Sequence, residues 1–313
     1  MRVLDADMAT TSPRRSVVAI GVFDGVHRGH QVVIEQVVSV ARQNGAEAVV
    51  VTFDPTPAEI LAPERAPKLL ASLDDRLAAL EALGVDEVRV VAFSSAASQE
   101  EAGEFVQRVI VENCQAMAVI VGEDFHFGRN RGGNVTSLST WGVEFGFSVL
   151  PVSMQGDGDR FSSTLTRELV ASGNIAKANA VLGRPFGYTK VEVVHGDARG
   201  GAELGYPTAN IDPSARLIRP ALGIYAGYAD LANGQRRAAA ISVGKRPQFY
   251  ENGELLIEAF LLDFSGDLYG QEISLFFLDF LRGEMKFDSV EDLVGQMALD
   301  VQASAERFAS YHY

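Results

Sequence analysis

What most constrains the fold of this chain is a change of rhythm near residue 186. Before it, strand-sized apolar runs at 17–20, 48–52, 88–92, 118–121 and 148–152 alternate with helical patterns at 31–43, 74–83, 100–111 and 137–145. Such alternation predicts an α/β domain, an open parallel sheet with helices on both faces. Sheets of this kind bind ligands beyond the carboxyl ends of their strands. Helical stretches at 164–171 and 175–181 close this half, and Gly183-Arg184-Pro185 punctuates it. Beyond lie short β-rich segments at 188–194, 225–231, 238–243, 256–263 and 272–280. Turns such as Asn233-Gly234, Asn252-Gly253 and Ser265-Gly266-Asp267 separate them, which predicts a small antiparallel β-barrel. Val290, Leu293, Val294, Met297 and Val301 then recur at helical spacing, so residues 290–308 read as a terminal amphipathic helix packed on the barrel.

The 313 residues suffice for two separate cores, assigned to 16–186 and 187–313. Residues 1–15 carry acids and no long apolar stretch, so they read as a flexible leader, disordered or loosely docked, rather than a signal peptide. Apolar runs are strand-sized throughout, and no membrane partner is expected. A lone cysteine, Cys114, excludes an internal disulfide framework and fits a reducing, cytoplasmic setting. With a formal charge of -14 and no Lys/Arg-rich run, polymeric nucleic acid is not an expected partner. A small nucleotide held by local donors remains compatible with that charge. Self-association is left open.

The segment GVFDGVHRGH, Gly21 to His30, joins the first apolar strand to the first helical pattern. His27 and His30 are three residues apart and share a face at a helix start, where backbone N–H groups are unpaired and the dipole is positive. Two imidazoles among free N–H groups suit a polyphosphate, although two half-exposed surface histidines would give the same spacing. The HxGH signature resembles that of nucleotidyltransferases. A second element, FSSTLTR, sets Ser162, Ser163 and Thr164 at a helix start and Arg167 three residues past Thr164. It can hold a phosphate or simply cap the helix. A third, VGEDFHFG, places Asp124, Phe125 and Phe127 after another strand. It reads either as a flavin or phosphate loop or as a structural loop packed by its aromatics. Phe53-Asp54-Pro55-Thr56-Pro57 ends a further strand and has the same two readings.

In the second half LGYPTAN stands out, with Gly205, Pro207, Thr208 and Asn210. On a strand, Thr208 and Asn210 share a face, and their hydroxyl and amide oxygens are hard donors suited to Mg²⁺ bound with nucleotide phosphates. Plain strand chemistry is the competing reading. The stretch 195–201 can form a glycine-rich flap, but no Walker A loop exists. Glu258 interrupts the apolar run 255–262. It is either solvent-facing by alternation or a general base beside an alcohol. Arg282 and Lys286, in LRGEMKF, can meet an anionic product.

Taken in order, GVFDGVHRGH, TFDP, VGEDFHFG, FSSTLTR, LGYPTANI, GIYAG, DLYG and LRGEMKF resemble the prokaryotic bifunctional riboflavin kinase/FAD synthetase family across about residues 16 to 305. The resemblance implies a Rossmann-like nucleotidyltransferase domain with a parallel sheet, making FAD from FMN and ATP. It also implies a flavokinase-type barrel, making FMN from riboflavin and ATP with Mg²⁺. No tightly bound redox cofactor is implied, since flavins are substrate and product. By position, His27, His30, Arg167 and Glu258 would be catalytic. Gly21, Phe23, Asp24, Gly29, Ser162, Ser163, Thr164, Gly205, Pro207, Thr208 and Asn210 would bind nucleotide. Asp124, Phe125, Phe127 and Arg282 would face flavin, and Thr208 and Asn210 would also hold the metal. The family's FDPHP becomes FDPTP at Thr56, its SSTxIR has Thr166 for isoleucine, and its GTNPTF becomes GKRPQF at 244–249. These departures leave two alternatives: a flavokinase whose transferase half has weakened, or a nucleotidyltransferase for another phosphorylated alcohol.

Overall fold

The computed structural model describes residues 1–9, 12, 14–153, 161–194, 206–245 and 255–311. The chain divides into two compact units, Met1–Ser163 and Thr164–Tyr313.

In the first unit β1 (Arg2–Asp5), β2 (Ser16–Ile20), α1 (Arg28–Gln43), β3 (Glu47–Phe53), α2 (Pro57–Leu61), α3 (Leu73–Ala82) and β4 (Glu87–Val91) come first. Then follow α4 (Ala102–Phe105), β5 (Ala116–Gly122), β6 (His126–Phe127), β7 (Gly133–Asn134), α5 (Val135–Phe145) and β8 (Ser148–Val152). Six strands form one parallel sheet in the order β1-β4-β3-β2-β5-β8. The near-continuous apolar strands follow from burial on both faces. Val18, Ile20, Val49, Val51, Val119 and Val121 point to a core shared with Val106, Ile110 and Leu138. The residues between them, among them Val17, Ala19, Val50 and Ile120, join Ile34, Val37 and Leu80 on the other side. Strand β2 neighbours β3 on one side and β5 on the other, so the chain changes direction across the sheet between β2 and β5. Open α/β sheets bind ligands at such a reversal.

Two expectations are corrected here. Residues 1–15, expected as a flexible leader, include β1, which pairs with β4 and places Ala6 in the core. Arg2 binds Glu47 and Glu87 at 2.5 and 2.9 Å. A four-residue edge strand bounded by Arg2 and Asp5 carries too little apolar pattern to be seen in sequence. The helical stretch at 100–111 is α only over α4, and residues Val106–Asn113 continue as a π-helix. Cys114 closes that turn inside the core, where burial pushes its thiol up to about 12. Thiolate is the reactive form, so Cys114 is expected to resist iodoacetamide at pH 8 in native protein and to react fully in denaturant. Mass spectrometry of the two samples reads this directly.

The second unit opens with α6 (Ser163–Ala171, its first residue still in the first unit) and α7 (Ile175–Leu182). Strands β9 (Phe186–Val194), β10 (Thr208–Ile211), β11 (Gly223–Leu231), β12 (Arg236–Lys245), β13 (Leu255–Leu261) and β14 (Glu272–Arg282) close into an antiparallel barrel, ordered β10-β13-β12-β11-β14-β9. Tyr188, Tyr225, Ile241, Ile257, Ala259 and Phe277 are fully buried. The two phenols donate to the carbonyls of Ile218 and Ala221, at 2.7 and 2.6 Å, as buried hydroxyls must. Helix α8 (Val290–Ser310) starts at Ser289, whose hydroxyl accepts from the Asp292 N–H, and packs on the barrel, with Phe308 against Tyr228 of β11 and Leu293, Met297 and Val301 facing a cavity between helix and barrel. Val290, expected on the packed face, is exposed, because it lies in the first turn.

Candidate active sites

The signature segment lies at the end of β2, at the sheet reversal. After Gly21 the backbone turns sharply: Phe23, Gly25 and Val26 have φ of 52°, 76° and 39°. For Phe23 and the β-branched Val26 this costs on the order of 1–3 kcal/mol each, and such residues persist only where their surroundings hold them. The surroundings are specific. The Asp24 carboxylate, 2% exposed, accepts from the N–H groups of Leu70 at 2.9 Å and Ala71 at 3.2 Å. Its carbonyl accepts from the Ser163 hydroxyl at 2.9 Å. Asp24 thus holds the loop together through both its carboxylate and its carbonyl.

His27 is the N-cap of α1 and is 2% exposed; its Nδ1 accepts from the His30 N–H at 3.4 Å. An accepting Nδ1 leaves the ring proton on Nε2, making that atom a donor. The His30 ring stacks on His27 with centroids 3.6 Å apart, and Phe23 meets it edge-on at 5.2 Å. Gly29 lets these rings approach closely, since a Cβ there would come within 3.2 Å of the His27 ring and 3.3 Å of Phe161 Cβ and push them by a few tenths of an ångström. Gly21 passes as closely over the Phe23 ring. The result is a stacked imidazole pair at a helix N-terminus, suited to charge developing on a phosphate.

Other candidates on the strand ends separate by packing. Thr56 caps α2, and Glu59 Oε2 accepts from both its N–H at 2.8 Å and its hydroxyl at 2.9 Å. Phe127 is 8% exposed, stacks on Phe125 at 5.1 Å and packs near Phe105 and Trp141. Its ring therefore does core work, whereas Asp124 is exposed and Phe125 half-buried. Ser162 and Ser163 are half-buried. In α6 Thr164 is exposed, Thr166 buried and Arg167 half-buried. Sequence reasoning missed Arg76 of α3, 1% exposed at the base of the signature loop. An arginine on an amphipathic helix ordinarily reads as solvent-facing.

In the second unit the register assembles the candidates. Asn210 lies directly opposite Glu258, Thr208 opposite Phe260, and Ser242 opposite Glu258 from the other side. These side chains share the outer face, while Ile257 and Ala259 fill the barrel. That face and α8 flank an open cavity of about 750 Å³ lined by Thr208, Ser242, Glu258, Arg282 and Asp300 among others. Glu258 is thus turned to a cavity rather than to bulk solvent. Asn210 is 4% exposed, and its Oδ1 has no hydrogen-bond partner. A buried oxygen acceptor left in that state fits a cation or donor brought with the substrate. Among the described residues no group of three His, Cys, Asp or Glu is placed to hold a metal by itself.

Arg282 differs from expectation in its partners. Its Nε and one terminal nitrogen bind Asp300 of α8 at 2.9 and 2.6 Å, and its other terminal nitrogen donates to the Gly283 carbonyl at 3.0 Å. Gln296 also donates to Asp300 at 3.0 Å. Asp300 was not anticipated, because one acid among the four on α8 matches its polar face. Pro207 is exposed beside Thr208. Gly205, the flap at 195–201 and residues 246–249 lie outside the described residues.

Two folds, each with a candidate site, stand in one chain, and comparison with known proteins matches both folds. The FAD synthetase model matches residues 9–165 and the riboflavin kinase model residues 182–308. The chain belongs to the bifunctional riboflavin kinase/FMN adenylyltransferase family. The enzyme of that name from Listeria monocytogenes is 37% identical, covering 94% of this chain and 92% of its own. The Pseudomonas fluorescens enzyme is 38% identical, covering 93% and 92%. A crystal structure from Streptococcus pneumoniae, described as a macrolide-efflux protein, matches with a TM-score of 0.86 at 31% identity, covering 96% of this chain and 97% of that one. That likeness concerns architecture. Among the described residues no helix is long and apolar enough to cross a membrane.

Proposed function

We propose that this chain phosphorylates riboflavin to FMN at the barrel and adenylylates FMN to FAD at the parallel sheet, with one ATP for each step. The observation that carries the reading is the cross-strand alignment of Thr208, Asn210 and Glu258 on one face, in the same chain as the stacked His27–His30 pair.

In the barrel, the Glu258 carboxylate takes the proton of the ribityl 5′-hydroxyl as its oxygen attacks the γ-phosphorus of ATP. The bond from that phosphorus to the β–γ bridging oxygen breaks, and ADP leaves. Positioning and charge compensation supply most of the rate in such transfers. Mg²⁺ bound with ATP would neutralise phosphate charge, and Thr208 Oγ1 and Asn210 Oδ1 would hold it. On the sheet, an FMN phosphate oxygen attacks the α-phosphorus of a second ATP. The α–β bridging bond breaks, and pyrophosphate leaves. His27 Nε2–H and the His30 ring donate to the α-phosphate oxygens as charge builds there. The nucleotide roles of Ser162, Thr164 and Arg167 and the flavin roles of Asp124 and Phe125 rest on the family resemblance.

Arg282 meets flavin or nucleotide in an orientation held by Asp300. Asp300→Asn is expected to lower kinase kcat/KM about tenfold and leave adenylylation unchanged, because hydrogen bonds between charged groups contribute about 1.5–3 kcal/mol and about 1.4 kcal/mol is tenfold. Steady-state rates from riboflavin and from FMN check this.

The reading is tested by incubating the purified chain with riboflavin, ATP and Mg²⁺ and separating flavins by chromatography. FMN should appear first and FAD after it; no flavin product would overturn the proposal. The second reading, a flavokinase with weakened adenylyl transfer, is favoured by Thr56, whose hydroxyl serves α2 through Glu59. It would show as FMN that accumulates without FAD.

A further inference from the structure

The signature loop is held from below by one segment of chain. The residues leading into α3 offer the Leu70 and Ala71 N–H groups to the Asp24 carboxylate. One turn into α3, Arg76 reaches the same loop from the other side. One terminal nitrogen of its guanidinium donates to the Val22 carbonyl at 2.9 Å, the Phe53 carbonyl at 3.1 Å and Thr52 Oγ1 at 3.2 Å. The other binds Asp54 Oδ1 at 3.2 Å. Thr52 in turn donates to the Val22 carbonyl at 3.1 Å. Val22 follows β2, Phe53 ends β3 and Asp54 comes directly after it. A single buried side chain therefore fixes two strand-end loops relative to each other. Between the Val22 and Asp24 anchors lies Phe23, left-handed at φ 52°, and Val26 follows at φ 39°. Such backbone persists only where its neighbours over-determine it, and His27 and His30 come directly after.

We infer that Arg76 is a positioning residue for adenylyl transfer: it sets the loop that aims the His27–His30 pair. The inference rests on the adenylyltransferase reading of the sheet site. Being 1% exposed, Arg76 has no surface to offer a substrate. Its influence passes through the placement of the histidines and so falls on the chemical step. Displacing catalytic groups by about 1 Å costs on the order of 10²-fold in rate.

Two full-length variants test this. Arg76→Lys keeps the charge but replaces a planar fork with one ammonium, which cannot serve Val22, Phe53 and Asp54 together. It is expected to lower kcat for FAD formation from FMN about 10²-fold, with KM for ATP near the wild-type value. Thr52→Val, a milder change of similar shape, is expected to lower the same kcat about two- to tenfold. Riboflavin phosphorylation should be unchanged in both. Rates are expressed per adenylylation site, counted by equilibrium ATP binding to the full-length chain as the sites beyond the one at the barrel. A merely structural role would lower the melting midpoint and the number of sites but leave kcat per site at the wild-type value, and that result overturns the inference. If Arg76→Lys does not fold, Thr52→Val decides alone, and wild-type kcat in it is the contrary result. Wild-type protein that makes no FAD from FMN would instead sink the underlying reading, before either variant is compared.

Discussion

Glu258→Gln is expected to lower riboflavin phosphorylation by about 10²–10⁴-fold, the usual contribution of a positioned general base, and to leave FMN adenylylation at the wild-type rate. The substitution preserves size and hydrogen bonding while removing the proton acceptor. Glu258 faces the cavity beside Asn210 and Ser242, so its neighbours and the barrel core stay in place. The effect should fall on kcat, because the carboxylate acts as the 5′-oxygen attacks. The measurement is the initial rate of FMN formation at saturating ATP. An unchanged rate would remove Glu258 from the role of base and return it to the outward-facing reading of an alternating strand.

His30→Ala should show the opposite selectivity. FAD formation from FMN is expected to fall about 10²–10³-fold, the loss typical of one preorganised donor at developing charge, with FMN formation from riboflavin intact. The substitution removes the ring stacked 3.6 Å from His27 but leaves the backbone N–H that His27 Nδ1 accepts. His27 therefore keeps its tautomer, and the loss reports the missing second imidazole. Initial rates of FAD and pyrophosphate release measure it, and equal loss of both activities would contradict a separate adenylylation site.

The strands of the parallel sheet could be read from sequence because burial on both faces writes a continuous apolar run. The barrel was legible through its turns, and α8 through its spacing. What escaped depends on pairing between distant segments. Strand β1 is short, charged at both ends and stabilised by Arg2 with Glu47 and Glu87, contacts that no local pattern records. The strand order that puts the signature loop at the sheet reversal is likewise a property of pairing alone. Thr208 and Asn210 could be placed on one face by spacing, but only the register puts Glu258 opposite Asn210. Arg76 and Asp300 looked like ordinary polar residues of amphipathic helices; each becomes significant through partners on other elements. Phe127 shows the reverse, a motif residue whose ring belongs to the core.

The central claim is that two independent sites act in sequence on one flavin. The most direct test crosses Glu258→Gln and His30→Ala with two starting substrates, riboflavin and FMN, each with ATP and Mg²⁺. Glu258→Gln should form FAD from FMN but nothing from riboflavin. His30→Ala should convert riboflavin to FMN and stop there. If either variant instead loses both reactions in equal measure, while remaining folded, the two-site account is wrong.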